Sequence, residues 1–151
     1  MHFALVLHIY QPPTQLPRWL KLITTQSYEK IVGLLEDYPR ARLTINLNAS
    51  LTEQLAHDGF TGLLGRIRAL AERGQIEFTG SAAYHPILPH IPRREIARQI
   101  NLNTSINQSY FGSAYQPRGF FPPELAYNDT VGEVLERLGF QWTLIDGTGI
   151  A

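Results

Sequence analysis

The chain has 151 residues, 44% hydrophobic and 17% charged, with 13 basic against 13 acidic side chains. This is the composition of one ordinary globular domain with a real core. The balanced charge excludes the basic surplus that phosphate-backbone binding needs, so no nucleic-acid partner is expected. Cysteine is absent, which excludes a disulfide framework, a thiolate metal site and a redox thiol, and fits a cytoplasmic protein.

In chain order, Phe3 to Leu7 is an unbroken apolar run, as in a strand buried on both faces. It has no basic leader and no small-residue cleavage site, so it reads as a first strand and not as a signal peptide. No apolar run is long enough to cross a bilayer, and no membrane partner is expected. The strand ends at His8-Ile9-Tyr10-Gln11, where proline breaks the chain. The spacing predicts a helix over Ser27–Asp37, capped by Ser27, with Ile31, Leu34 and Leu35 as its apolar stripe. Strict alternation over Arg42–Asn48 predicts a strand with Asn46 and Asn48 at its end. Ser50 and Glu53 form a capping box for the next helix, which breaks near Asp58-Gly59 and resumes through Leu63 to Leu70, with Gly74 as C-terminal cap.

Gln75–Gly80 is a third strand. Ser81 to Pro92 follows as a stiff, proline-interrupted loop carrying Tyr84, His85 and His90. A helix then starts at Pro92, its apolar positions Ile96, Ile100 and Ile106, its polar face rich in Asn and Gln and read as solvated or partner-facing. Phe120-Phe121 is a short strand that runs into Pro122-Pro123-Glu124. The prolines restrict the backbone just before this carboxylate. Asn128, Asp129 and Thr130 are good caps for a helix over Val131–Leu138, and Gln141–Gly147 is a last strand ending in Asp146-Gly147.

Strands alternating with helices predict a parallel α/β sheet of right-handed βαβ units. In such a sheet every strand's carboxyl end lies on one edge. His8 and Gln11, Asn46 and Asn48, His85, Glu124 and Asp146 would then share one rim, a cluster of imidazole, amide and carboxylate groups. For each residue alone the plainer reading is a solvated loop side chain or a satisfied core histidine; their repeated placement at strand ends favours a site. About five strands are too few to close a barrel of around eight, so the expected fold is an open sheet or the first part of a larger domain.

Three stretches carry a resemblance. His8-Ile9-Tyr10-Gln11-Pro12 resembles the first signature of glycoside hydrolase family 57, usually His-x-His-Gln-Pro. Gly74 to Gly80 with His85-Pro86 is similar to the second, and Phe121-Pro122-Pro123-Glu124 matches the third. The resemblance implies that residues 1–151 are the N-terminal portion of a catalytic domain with a distorted (β/α)7-type barrel. It implies a retaining enzyme acting on an α-glucan or oligosaccharide, hydrolase or glucanotransferase, with no metal or other cofactor. Glu124 would be the nucleophile. His8, Tyr10, Gln11, His85 and Asp146 would contact the sugar. Tyr10 departs from the family's second histidine, and the family's general-acid aspartate lies beyond position 151.

Two other readings stand beside this one. A carbohydrate-deacetylase-like enzyme would use His85 and His90 on a metal, although the intervening prolines and a missing Asp-Asp motif weigh against it. A non-catalytic glucan-binding or oligomer-forming fragment would pair through an exposed last strand or stack sugars on Trp19 and Trp142.

Overall fold

The computed structural model describes residues 4–147. Five strands, β1 (Val6–Ile9), β2 (Leu43–Leu47), β3 (Ile76–Gly80), β4 (Gly119–Phe120) and β5 (Trp142–Thr143), form one sheet in the order β1-β2-β3-β4-β5. Every neighbouring pair is parallel. Strict sequential order means that each crossover advances in one direction. Right-handed crossovers of that kind put the helices on one face and leave the other as the inner face of a barrel wall. The architecture is a partial (β/α)7-type barrel, an arc of parallel strands alternating with helices.

The two faces are chemically distinct because side chains alternate along a strand. Ile9, Ile45, Leu47, Ile76 and Phe78 point outward into one apolar core with residues of the helices α2 (Glu29–Asp37), α3 (Ala49–His57) and α4 (Thr61–Glu72). Leu47, Leu51, Leu55 and Leu70 are fully buried there, each burial worth about 2–3 kcal/mol. A second core joins Phe120 to α5 (Arg93–Phe111) and α6 (Asp129–Arg137) through Ile96, Ile100, Val131, Val134 and Leu135. The inward positions His8, Asn46 and Thr79 are polar. They lie in one row, because His8 pairs with Asn46 and Asn46 with Thr79 in the strand register.

Several elements differ from the sequence reading. His8 lies inside β1, so the first strand sits further along than the apolar run implied, and Phe3 is outside the described residues. The first helix begins at Pro17, not Ser27. α1 (Pro17–Ile23) runs through a π-helical turn (Thr24–Tyr28) directly into α2. Pro17 at the first helical position is pre-set for that start, and Ser27 is interior. Asn48, not Ser50, takes the N-cap position of α3. The proline-rich loop after β3 contains a 3₁₀ turn over Leu88–His90. The fourth strand is Gly119–Phe120, which leaves Phe121 just beyond it. Asn128 caps α6 as expected, accepting from the Val131 amide at 3.0 Å.

The largest correction concerns α5. Its amide-rich face is buried, not solvated: Gln99, Asn103 and Asn107 are 7%, 0% and 0% exposed. Asn103 accepts from the Ala49 amide at 2.8 Å and donates to the Tyr115 hydroxyl at 2.8 Å. Asn107 donates to the Leu47 carbonyl and accepts from Thr52. Gln99 accepts from the Tyr84 amide at 3.2 Å. These amides satisfy backbone groups at the end of β2 and in the segments that follow β2 and β3, where the strand ladder stops.

Candidate functional site

The carboxyl ends of the strands bring four of the expected residues together. β1 supplies His8 and, one residue past the strand, Tyr10; the loop after β3 supplies His85; the turn after β4 supplies Glu124. The His85 Nδ1 lies 3.8 Å from a Glu124 carboxylate oxygen. Tyr10 stacks on His85 with ring centres 4.0 Å apart, and His8 lies 5.3 Å from His85. Phe121 stacks on His8 almost face to face, at 4.8 Å and 4°. The result is a layered group of rings with one carboxylate beside it.

Glu124 owes its place to the turn. Phe121 is pinned to β3 twice, by its amide to the Gly80 carbonyl at 2.9 Å and by its carbonyl, which accepts from the Ser81 hydroxyl at 3.0 Å. Each residue preceding a proline is driven to an extended conformation, as Pro122 shows at φ −66°, ψ 136°. The chain then reverses hand, with Glu124 at φ 55° and Leu125 at φ 53°, closed by bonds from Leu125 to Pro122 and from Ala126 to Pro123. His85 also stands at φ 55°. Left-handed backbone at residues with a Cβ costs about 1–2 kcal/mol each, and such strain gathers where geometry is held for a purpose. Among the described residues these three are the non-glycine residues at positive φ, and two of them face each other across the site.

The electrostatics follow burial. The His85 side chain is 5% exposed and that of Glu124 69%. Burial, reinforced by the neighbouring His8, lowers the His85 pKa, and the Glu124 charge only partly offsets this. His85 is therefore neutral near pH 7. Its Nε2 is buried with no hydrogen-bonding partner, an unusual state for an imidazole nitrogen. Burial and the charge of Glu124 raise the Tyr10 phenol, so it keeps its proton and remains a donor. Glu124 is the exposed, ionisable member beside neutral donors and acceptors, an arrangement suited to a polyhydroxylated molecule.

The remaining expected residues sit differently. The Gln11 side chain donates to the Tyr28 hydroxyl at 3.1 Å and accepts from Gln15 at 2.8 Å, so it holds the segment after β1 to the helical layer. Asp146 is exposed, three residues past β5 on the same edge of the sheet. Asn48 donates to the Ala83 carbonyl at 3.3 Å and supports the loop that leads to His85. His90 is exposed at the end of its 3₁₀ turn, whereas His85 is packed among rings. No group of three or more His, Cys, Asp or Glu suited to a metal occurs among the described residues. Sequence reasoning puts Asn46 on the polar rim but gives it no role there; its Oδ1 lies 2.6 Å from His8 Nδ1 and its Nδ2 donates to the Thr79 hydroxyl at 3.0 Å. Phe121, read from the sequence as part of the fourth strand, turns toward the rim, and its position between a strand and two prolines is the available signal for this.

Comparison with known proteins agrees with this construction. The model of glycosyl hydrolase family 57 matches residues 7–150. An α-amylase from Pyrococcus horikoshii is 23% identical over 146 residues, which is 97% of this chain and 22% of that protein. The chain thus spans about a fifth of the length of the curated relatives it matches. The crystal structure of 4-α-glucanotransferase from Thermococcus litoralis superposes with a TM-score of 0.87 at 22% identity, over 95% of this chain and 22% of that one. A family 4 carbohydrate esterase from Streptomyces lividans shares the fold more loosely, with a TM-score of 0.59 at 17% identity over 95% of this chain and 62% of that one. No helix among the described residues is long and apolar enough to cross a membrane. Matched by the family model along almost its whole length, with parallel strands whose carboxyl ends gather the expected histidines and glutamate, this chain belongs to glycosyl hydrolase family 57.

Proposed function

We propose that the rim of the sheet is the nucleophile-bearing part of a retaining α-glucan hydrolase or glucanotransferase. Glu124 attacks the anomeric carbon, the glycosidic oxygen leaves with its bonding pair, and water or a second sugar hydroxyl later displaces the ester. His8, Tyr10 and His85 hold the hydroxyls of the sugar undergoing attack, with Gln11 and Asp146 at the margins of the site. The observation that carries this reading is the exposed Glu124 carboxylate 3.8 Å from the His85 ring, with the rings of His8 and Tyr10 stacked beside it. A retaining displacement also needs a second carboxyl, roughly 5–5.5 Å from the first, to protonate the leaving oxygen; in this reading it comes from outside the described residues.

The test follows from that division. Fluoride leaves without needing a proton, so 5-fluoro-α-glucosyl fluoride asks only for a nucleophile. Mass spectrometry should find one fluoroglucosyl adduct, on the peptide containing Pro123 to Leu125, and none in Glu124→Gln. Absence of an adduct, or an adduct elsewhere, overturns the assignment.

A further inference from the structure

We infer that Asn46 is a positioning residue that fixes the tautomer of His8 and so decides which ring nitrogen is offered to a ligand. The inference rests on the sugar-binding reading of the rim and adds the device that sets the polarity of one of its contacts. Asn46 has no exposed surface and stands in the middle strand of three, in register with His8 on one side and Thr79 on the other. Its Oδ1 lies 2.6 Å from His8 Nδ1, and its Nδ2 donates to Thr79 Oγ1 at 3.0 Å. An amide oxygen can only accept. A ring nitrogen that close to it must carry a proton, so His8 is held as the Nδ1–H form.

The consequence falls on the other side of the ring. In the neutral Nδ1–H form Nε2 has a bare lone pair, and no protein group among the described residues is bonded to it. His8 therefore accepts a hydrogen bond from a ligand hydroxyl. A free neutral imidazole prefers the opposite form, with its proton on Nε2; in a protein the choice is set by what the other nitrogen bonds. Thr79 completes the row: its hydroxyl oxygen takes the Nδ2 hydrogen while the Asn46 oxygen faces His8. Phe121, face to face with the ring, fixes its plane without choosing a tautomer. One row, with Asn46 and Thr79 buried and His8 exposed at its end, thus converts strand register into hydrogen-bond polarity at the rim.

Histidine ring ¹⁵N spectra of the full chain read the tautomer directly, because a protonated and a bare nitrogen have well-separated shifts. In the wild type His8 should show a protonated Nδ1 and a bare Nε2. Asn46→Leu should move His8 to the Nε2–H form or to a mixture. Asn46→Asp, which keeps an acceptor, should restore the Nδ1–H form. A wild-type His8 in the Nε2–H form, or an unchanged tautomer in Asn46→Leu, overturns the inference. If Asn46→Leu does not fold, the wild-type and Asn46→Asp spectra still decide. Titration with maltotriose separates this inference from the function it rests on. A shift of His8 Nε2 supports both, whereas the Nδ1–H form with no response to sugar keeps the positioning role and overturns sugar contact at His8.

Discussion

Two polar regions lie within a few residues of each other and are built on opposite rules. Along α5 almost every polar atom is satisfied. Asn103, Asn107 and Gln99 close onto Ala49, Leu47, Tyr84, Thr52 and Tyr115, and the nearby orphan is the Asn48 side-chain oxygen. At the rim, His85 is buried with a bare nitrogen, and His85 and Glu124 hold strained backbone. Saturated polar groups lock an arrangement, whereas unsaturated and strained ones store a demand that a ligand can meet. The first region is scaffold for the second, because Gln99 and Asn48 grip the residues that carry the loop to His85.

Breaking the scaffold should produce the largest effect. Asn103→Leu leaves the Ala49 amide buried without its partner and takes from the Tyr115 hydroxyl the bond it accepts, leaving it only the one it donates to the Thr79 carbonyl, at a cost of about 3 kcal/mol, read as a lowered midpoint in urea. Glu124→Gln, which changes an exposed side chain, should leave that midpoint nearly unchanged.

pH should separate the two regions. Burial pushes the Tyr115 phenol up to about 12. A group whose folded value is raised contributes stability that is whole below its unfolded value near 10 and is lost as pH climbs to the folded one, here about 3 kcal/mol. His85 is displaced downward. Its contribution is whole above the unfolded value of about 6.5 and is lost as pH falls through the lower folded one. Stability measured against pH should therefore fall at the alkaline end chiefly through Tyr115 of the scaffold and weaken at the acid end through the rim. Tyr115→Phe should remove the largest part of the alkaline limb, with the raised phenols of Tyr10, Tyr28 and Tyr84 leaving the rest.

The smallest effect should come from relieving strain. Asparagine tolerates left-handed backbone better than glutamate. Glu124→Asn should raise stability by about 0.5 kcal/mol while abolishing the fluoroglucosyl adduct, the usual exchange of activity for stability at a strained site. A loss of stability in that variant would show that Glu124 serves the fold.

The alternation of strands and helices was legible because apolar runs and their stops are local. So was the Glu124 turn, since two prolines confine the chain on their own. α1 was not, because prolines surround its start and it buries mainly Leu20. The amide face of α5 misled for a physical reason. Hydropathy treats asparagine as water-seeking, yet a parallel sheet needs buried donors and acceptors at its strand ends. The pairing of Gln11 with Tyr28 and the stacking of Phe121 on His8 are tertiary contacts with no local signature.

A crystal structure of the chain with a bound maltooligosaccharide tests the rim most directly. The predicted result is an anomeric carbon about 3–3.5 Å from a Glu124 oxygen, with hydroxyls of that sugar on His8 and His85. An oligosaccharide seated away from these residues, or a Glu124 carboxylate turned from the sugar, would contradict it.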